Sequence, residues 1–401
     1  MKKLLLASTM FAALTAAAFA QQSDGQVKIG VLNDQSTSFS AIGGTEVVRA
    51  VEMAIKDYGG QALGKPIEFV TADHQNKPEV GLAIARQWLD QDNVDAIADM
   101  ANSAIALGVN TLLGEKKRVG LFVSPLTDRT TEGDCNGYVV AWAYDAYSTV
   151  GTTVKALLGE GGKSFFILSP DYEAGKVQEA AVEGAVTAGG GEVKGKVRAP
   201  LGTTDFSSYL LQAQSSGAQA IIMNLSGPEL INAMKQVQEF GLIDSGMKVA
   251  VTFMHQSDVR SIGVEALQGV RFSSPWFWGK DEASKEWGKR MMEVTGNAPG
   301  WIAAGTYSAV TNYLKAVDKA GTDDADAVLK AMREMKIEDF FVQNGELYPN
   351  GRLIHDMYLI EVKKPDEVTE KQDFLKLVAT VPAKEAFKPL SATTCKLVNK
   401  G

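Results

Sequence analysis

The sequence is poor in the side chains that carry metal and redox chemistry. Its 401 residues include only 2 Cys and 3 His, namely Cys135, Cys395, His74, His255 and His355. No two of these stand at metal-ligand spacing, so a zinc or iron–sulfur site is not expected. Basic runs are missing as well. Lys and Arg number 40 against 48 Asp and Glu, the formal charge is −8, and nothing offers a polyanion a footprint, so no nucleic acid is expected as a partner. Beyond residue 20 no segment reaches the roughly 18 apolar residues that a membrane-spanning helix needs. Signature loops of nucleotide hydrolases, zinc proteases, serine hydrolases and EF-hands are absent. Gly159-Glu160-Gly161-Gly162-Lys163 superficially resembles a phosphate loop, but it precedes a strand-like run instead of following one and reads as a helix C-cap turn. Asp73 and His74 read as a polar strand-end turn ahead of Pro78 rather than an acid–base pair. No enzyme activity, metal or cofactor is expected.

The first long apolar run reads as an address. Lys2-Lys3 form a positive start, Leu4 to Ala18 an apolar stretch, and Ala18-Phe19-Ala20 a small-x-small cleavage pattern. Residues 1–20 are therefore expected to be a signal peptide removed after Ala20, with a membrane anchor as the alternative. Loss of Lys2 and Lys3 takes the formal charge from −8 to −10. No Cys follows the apolar run, so a lipid anchor is not expected, and the mature protein should be periplasmic. In that compartment two thiols usually pair, and only Cys135 with Cys395 is possible. Closing about 260 residues, such a bond stabilises by roughly 5 kcal/mol as a ceiling. The alternative is two unpaired thiols.

Strands and helices alternate along the rest of the chain. Val27 to Leu32, Ile67 to Ala72, Val94 to Ala98 and Val119 to Val123 are short β-rich runs separated by helical patterns. Val47, Val51, Ala54, Ile55 and Tyr58 share one helical face, and Pro78 opens a second helix at a position where its missing N–H is not needed. The rhythm restarts with Ser164 to Ser169, Glu192 to Val197, Ala220 to Leu225 and Lys248 to Phe253. Helices are expected over Asp281 to Thr295, Trp301 to Ala320 and Ala325 to Met335, and one more strand over Met357 to Val362. The pattern implies an α/β fold of two doubly wound, Rossmann-like lobes, each with a parallel central sheet covered on both faces.

Several segments together carry a resemblance: the signal peptide, Lys28-Ile29-Gly30-Val31, Asp73-His74-Gln75-Asn76-Lys77-Pro78, Val123-Ser124-Pro125-Leu126-Thr127 and Asp171-Tyr172-Glu173-Ala174-Gly175. In their order and spacing they resemble the type I periplasmic binding proteins of ABC importers, in the branch of the branched-chain amino acid (leucine/isoleucine/valine) binding proteins. The resemblance covers essentially residues 27 to 395. It implies two lobes joined by a three-strand hinge and closing on a small ligand. The lobes are expected as 27–144 plus 277–345 and 145–276 plus 346–380, with the tail 381–401 tied to the first.

Ligands of parallel sheets bind beyond the carboxyl ends of the strands, which makes the loops there the candidate walls. In the first lobe they supply Phe39, Ile42, Asn102, Ser103, Leu126 and Thr127. The amides and hydroxyls of Ser103 and Thr127 are suited to a carboxylate, and Ser103 also suits a helix cap. In the second lobe they supply Tyr172, Ser226 and His255. The resemblance places a ligand-covering aromatic at Tyr172. Amino-acid-binding relatives have an acid for the ligand ammonium near His255 and a second tyrosine at Ser226, and this chain departs from both. Tyr144 with Asp145, and Trp276-Phe277-Trp278, fall at expected crossings, as pocket floor or as packing between lobes.

The leading expectation is a monomeric extracytoplasmic receptor that captures a small organic ligand, an apolar or aromatic carboxylate, and hands it to the permease subunits of an ABC importer. The alternatives are a receptor for branched-chain amino acids or amides, and a sensory module of the same fold.

Overall fold

A computed structural model of the chain describes residues 24–398. The expected signal peptide lies outside the described residues. Each of the two lobes is built on its own sheet. The first sheet has strands Lys28–Asn33, Glu68–Asp73, Ala96–Asp99, Val119–Phe122 and Val139–Ala141. All are parallel, with Lys28–Asn33 between Glu68–Asp73 and Ala96–Asp99, then Val119–Phe122, then Val139–Ala141 at the edge. Ala96–Asp99 and Val119–Phe122 are buried at every position, as strands covered on both faces must be. Helices Gly44–Asp57 and Trp301–Ala320 pack on one face and Pro78–Asp90 and Ser103–Lys116 on the other.

The second sheet has seven strands. Glu192–Ala199, Ser164–Pro170, Ala220–Met223, Lys248–Val251 and Arg271–Ser274 are parallel, and Met357–Val362 and Leu375–Val381 continue the sheet in antiparallel fashion. Three of the strands, Val139–Ala141, Arg271–Ser274 and Leu375–Val381, are not among those expected from sequence. The first two are only three and four residues long. Leu375–Val381 is an edge strand with four exposed residues in a row, so it lacks the apolar alternation that marks a half-buried strand.

The chain crosses between lobes after Ala141, after Ser274 and after Ile354. The third crossing corrects the expected boundary at residue 345. The hairpin Glu346–Leu347 with Leu353–Ile354 buries Leu347, Leu353 and Ile354 in the first-lobe core, and Arg352 bridges to Ala141 in parallel. A fourth passage follows: after Leu375–Val381 in the second sheet, Ala383, Ala386 and Phe387 enter the first-lobe core, and Cys395 is disulfide-bonded to Cys135 with 5.7 Å between Cα atoms. The tail is also held by Glu132, whose carboxylate accepts from the Thr394 amide at 2.6 Å and the Thr393 hydroxyl at 3.1 Å.

The crossings are locked to one another. The ring nitrogens of His355 lie 2.8 Å from the Ala143 carbonyl and 2.9 Å from its neighbour's, the Asp356 carbonyl. The buried Arg352 guanidinium donates to the Tyr144 carbonyl and sits 3.4 Å from Asp145. Trp276, Phe277 and Trp278 are buried on alternating sides of an extended segment. The two tryptophans enter the first-lobe core and Phe277 the second, so this cluster packs the lobes rather than flooring a pocket.

Candidate functional site

Where the crossings bring the strand-end loops of both lobes together, a cluster of rings forms. Tyr144, at the first crossing, has its ring centroid 5.1 Å from Phe253 and 4.9 Å edge-on from Trp301. Phe253 lies 4.6 Å edge-on from His255, and His255 stacks on Trp301 at 5.3 Å with 18° between the planes. Trp301 is the first residue of a first-lobe helix. Phe253 and His255 belong to the second-lobe loop between Lys248–Val251 and Gln256–Ile262. The cluster therefore joins one lobe to the other. Such offset and edge-to-face pairs add about 0.5–1.5 kcal/mol each beyond buried area.

His255 is the polar member of this cluster, and it is only 2% exposed. Neither of its ring nitrogens has a hydrogen-bond partner. Burial pushes its pKa down to about 3, so the ring is neutral. Its backbone N–H donates to the Asp258 carboxyl at 2.9 Å, which fixes the turn into the next helix. The Tyr144 hydroxyl donates to the Ser124 carbonyl at 2.7 Å, so that ring is anchored from beneath.

The first-lobe strand-end loops are held by short polar side chains. Asp34 accepts from the amides of Thr37 and Phe39, both at 2.8 Å, and this shapes the loop carrying the half-buried Phe39 and Ile42. The helix Ser103–Lys116 is capped by Asn102, not by Ser103. The Asn102 side-chain oxygen accepts from Ala104 and Ile105, and its amide donates to Asn76 at 2.6 Å. Ser103 is thus left half-buried at the helix start. Leu126 and Thr127 are half-buried in the loop after Val119–Phe122, and Thr127 caps a short 3-10 turn through Arg129.

On the second-lobe side, Tyr172 precedes helix Glu173–Ala188 and is 39% exposed. A Cβ at Gly175 would run into the Pro170 carbonyl, which explains the small residue in that turn. Ser226 precedes helix Gly227–Glu239 with no side-chain cap bond. Among the described residues no ring contact links Tyr172 to the cluster. Of the sequence candidates, Tyr144 and His255 belong to the cluster, joined through Phe253 and Trp301, while the others lie in strand-end loops outside it.

Three contributors were not expected: Phe253, Trp301 and Glu46. Trp301 follows Pro299-Gly300 at a helix start, a place where a large ring can face a cleft, and that is the one signal in the sequence. The half-buried Glu46 accepts from the Gly300 amide at 2.8 Å, and burial pushes its carboxyl up to about 7.

The other carboxyls near the crossings are committed. Asp99 is buried beside the Ser124 hydroxyl and is pushed up to about 6. Glu229 accepts from the Gly202 amide at 2.6 Å, and Asp145 caps its helix through the Ser148 amide at 2.6 Å. A separate open recess of about 720 Å³ lies beside the disulfide, lined in part by Asn110, Arg129 and Asp134. It holds none of the cleft residues.

The family model for periplasmic binding proteins matches residues 26–367. A Leu/Ile/Val-binding protein homolog from Brucella melitensis is 27% identical over 379 residues, covering 92% of this chain and 95% of its own length. The crystal structure of a branched chain amino acid ABC transporter periplasmic ligand-binding protein from Burkholderia xenovorans is 41% identical, with a TM-score of 0.89 and coverage of 93% of this chain and 100% of its own. A solute binding protein of an ABC transporter from Rhodopseudomonas palustris, solved with 3,4-dihydroxy benzoic acid, shares the fold at 23% identity and a TM-score of 0.80, covering 90% of this chain and 98% of its own.

Proposed function

Because the chain belongs to the periplasmic binding protein family, whose members are solute-binding proteins of ABC transporters and not enzymes, we propose that it captures a small apolar or aromatic carboxylate in the cleft between its lobes and delivers it to an importer. The observation that carries this reading is the ring cluster of Tyr144, Phe253, His255 and Trp301, drawn from both lobes, with no free anion within it. Rings favour a flat apolar body. An ammonium buried there without an anionic partner costs several kcal/mol. The carboxylate end suits the first-lobe wall, where Ser103 opens a fourteen-residue helix and Thr127 a polar turn. In this reading Tyr172, exposed ahead of its helix, closes over the ligand.

The competing reading is a branched-chain amino acid, and Glu46, which accepts from the Gly300 amide next to Trp301, favours it as a carboxyl that could meet an ammonium. Its pKa of about 7 and its bond to Gly300 weaken it in that role. Thermal-shift measurements with leucine, valine, benzoate and phenylacetate separate the two. A ligand at 1,000 times its dissociation constant stabilises by about 4 kcal/mol. A shift with the aromatic acids and none with the amino acids is expected, and the reverse would refute the proposal.

A further inference from the structure

A neutral imidazole presents one donor and one acceptor, and a buried one left without partners is rare in a finished structure. His255 has this character: 2% exposed, stacked on Trp301, edged by Phe253, with both nitrogens unsatisfied. The Tyr144 hydroxyl is spent on Ser124, and among the described residues of the cluster only His255 has fully buried side-chain polar atoms without a partner. A ligand group that reached this ring would meet two unmet hydrogen bonds.

An anion is a poor match for this position. The group it would meet at His255 is an uncharged ring. A neutral imidazole offers a carboxylate one N–H and no charge, which does little to offset the cost of burying an anion among rings. A hydroxyl meets the site without any change of charge, since it donates to one imidazole nitrogen and is small enough to sit among rings. We propose that His255 reads a hydroxyl group at the far end of the ligand, so that the protein selects hydroxylated aromatic carboxylates over their unsubstituted parents. This rests on the carboxylate reading above and adds a second polar point of recognition to it.

The titratable groups around His255 are Asp258, which accepts from its backbone N–H, and Arg260 on the helix that it precedes, Tyr144 across the Phe253 ring, and Glu46, which is bonded to the Gly300 amide next to Trp301. None of them makes a side-chain hydrogen bond to the ring. The selectivity is therefore set by the imidazole and should not depend on pH where the ring stays neutral.

Calorimetric titration of the mature protein with benzoate and with 2-, 3- and 4-hydroxybenzoate tests this, read as the ratio of each hydroxybenzoate affinity to that of benzoate. At least one ratio is expected to reach about tenfold or more, because a site built to hydrogen-bond a hydroxyl is left with unpaired polar atoms by the analogue lacking it. That ratio should be the same at pH 5.5 and pH 8. It should fall to near one in His255→Leu, whatever happens to affinity overall, and be partly kept in His255→Gln, which retains a neutral donor and acceptor. If His255→Leu does not fold, the pH comparison and His255→Gln still decide. Equal affinity for benzoate and all three hydroxybenzoates would overturn the inference while leaving the carboxylate reading intact, and so would a ratio that survives in His255→Leu. A ratio changing about tenfold per pH unit would show a proton taken up at the site and overturn it too. Failure of all four acids to bind would overturn both.

Discussion

Asp99 ends its strand fully buried, with the Ser124 hydroxyl beside it and no cation within its contacts, and burial pushes it up to about 6. Between the unfolded value near 4 and that folded value, the native state holds a proton that the unfolded chain has released. Rising pH therefore removes stability across this window, and the loss is complete above about pH 6. The contribution is at most about 3 kcal/mol. Asp99→Asn should flatten this part of the stability–pH curve, as followed by urea melts from pH 4 to pH 7. An unchanged slope would show that Asp99 is ionised in the fold. Trp301→Ala removes the ring on which His255 stacks, and it should weaken ligand binding by about tenfold or more while the lobes stay folded. At this scale the sequence was half legible. His255 and Tyr144 stand at strand-end and crossing positions that topology marks. Trp301 and Glu46 sit near the start of helices whose other apolar residues are core, and nothing local separates a ring facing a cleft from one facing the core.

Among the elements, the crossings and the tail carry the most connections. Arg352 is the buried cation of the hinge, paired with Asp145 and bonded to the Tyr144 carbonyl. Arg352→Met would strand the buried Asp145 carboxyl and should cost about 3–5 kcal/mol in denaturant melts. Less than 1 kcal/mol would mean that water replaces the guanidinium. The Cys135–Cys395 bond spans 260 residues and pins the tail after its last passage. Replacing both cysteines by serine should lower stability by a few kcal/mol, no more than the roughly 5 kcal/mol of the chain-entropy ceiling. The alternation of buried runs with amphipathic helices was readable because each parallel strand is apolar along its whole length. The edge strand Leu375–Val381 was not readable because its residues face solvent, and the hairpin Glu346–Ile354 was assigned to the wrong lobe because two-residue strands carry no period.

On the scale of the whole molecule, the ring cluster proposed to bind the ligand takes residues from both lobes, so its contacts are complete only when the lobes approach. Ligand should therefore compact the protein by hinge rotation. Small-angle scattering should show a smaller radius of gyration at saturation than in a ligand-free form that is demonstrably open. No change under those conditions would contradict a clamshell. The parallel sheets and the order of the motifs made the two-lobed architecture legible from the chain alone. The ligand was not, because six loops are candidate walls and a methylene is worth only about 1–3 kcal/mol in such a site. The claim at the centre is that the cleft takes an apolar carboxylate and rejects an α-ammonium. Calorimetric titration of the mature protein, with leucine in one series and aromatic carboxylates in the other, tests it most directly. Micromolar or tighter binding of an aromatic acid with no response to leucine is the expected result, and tight binding of leucine with no response to the acids would contradict it.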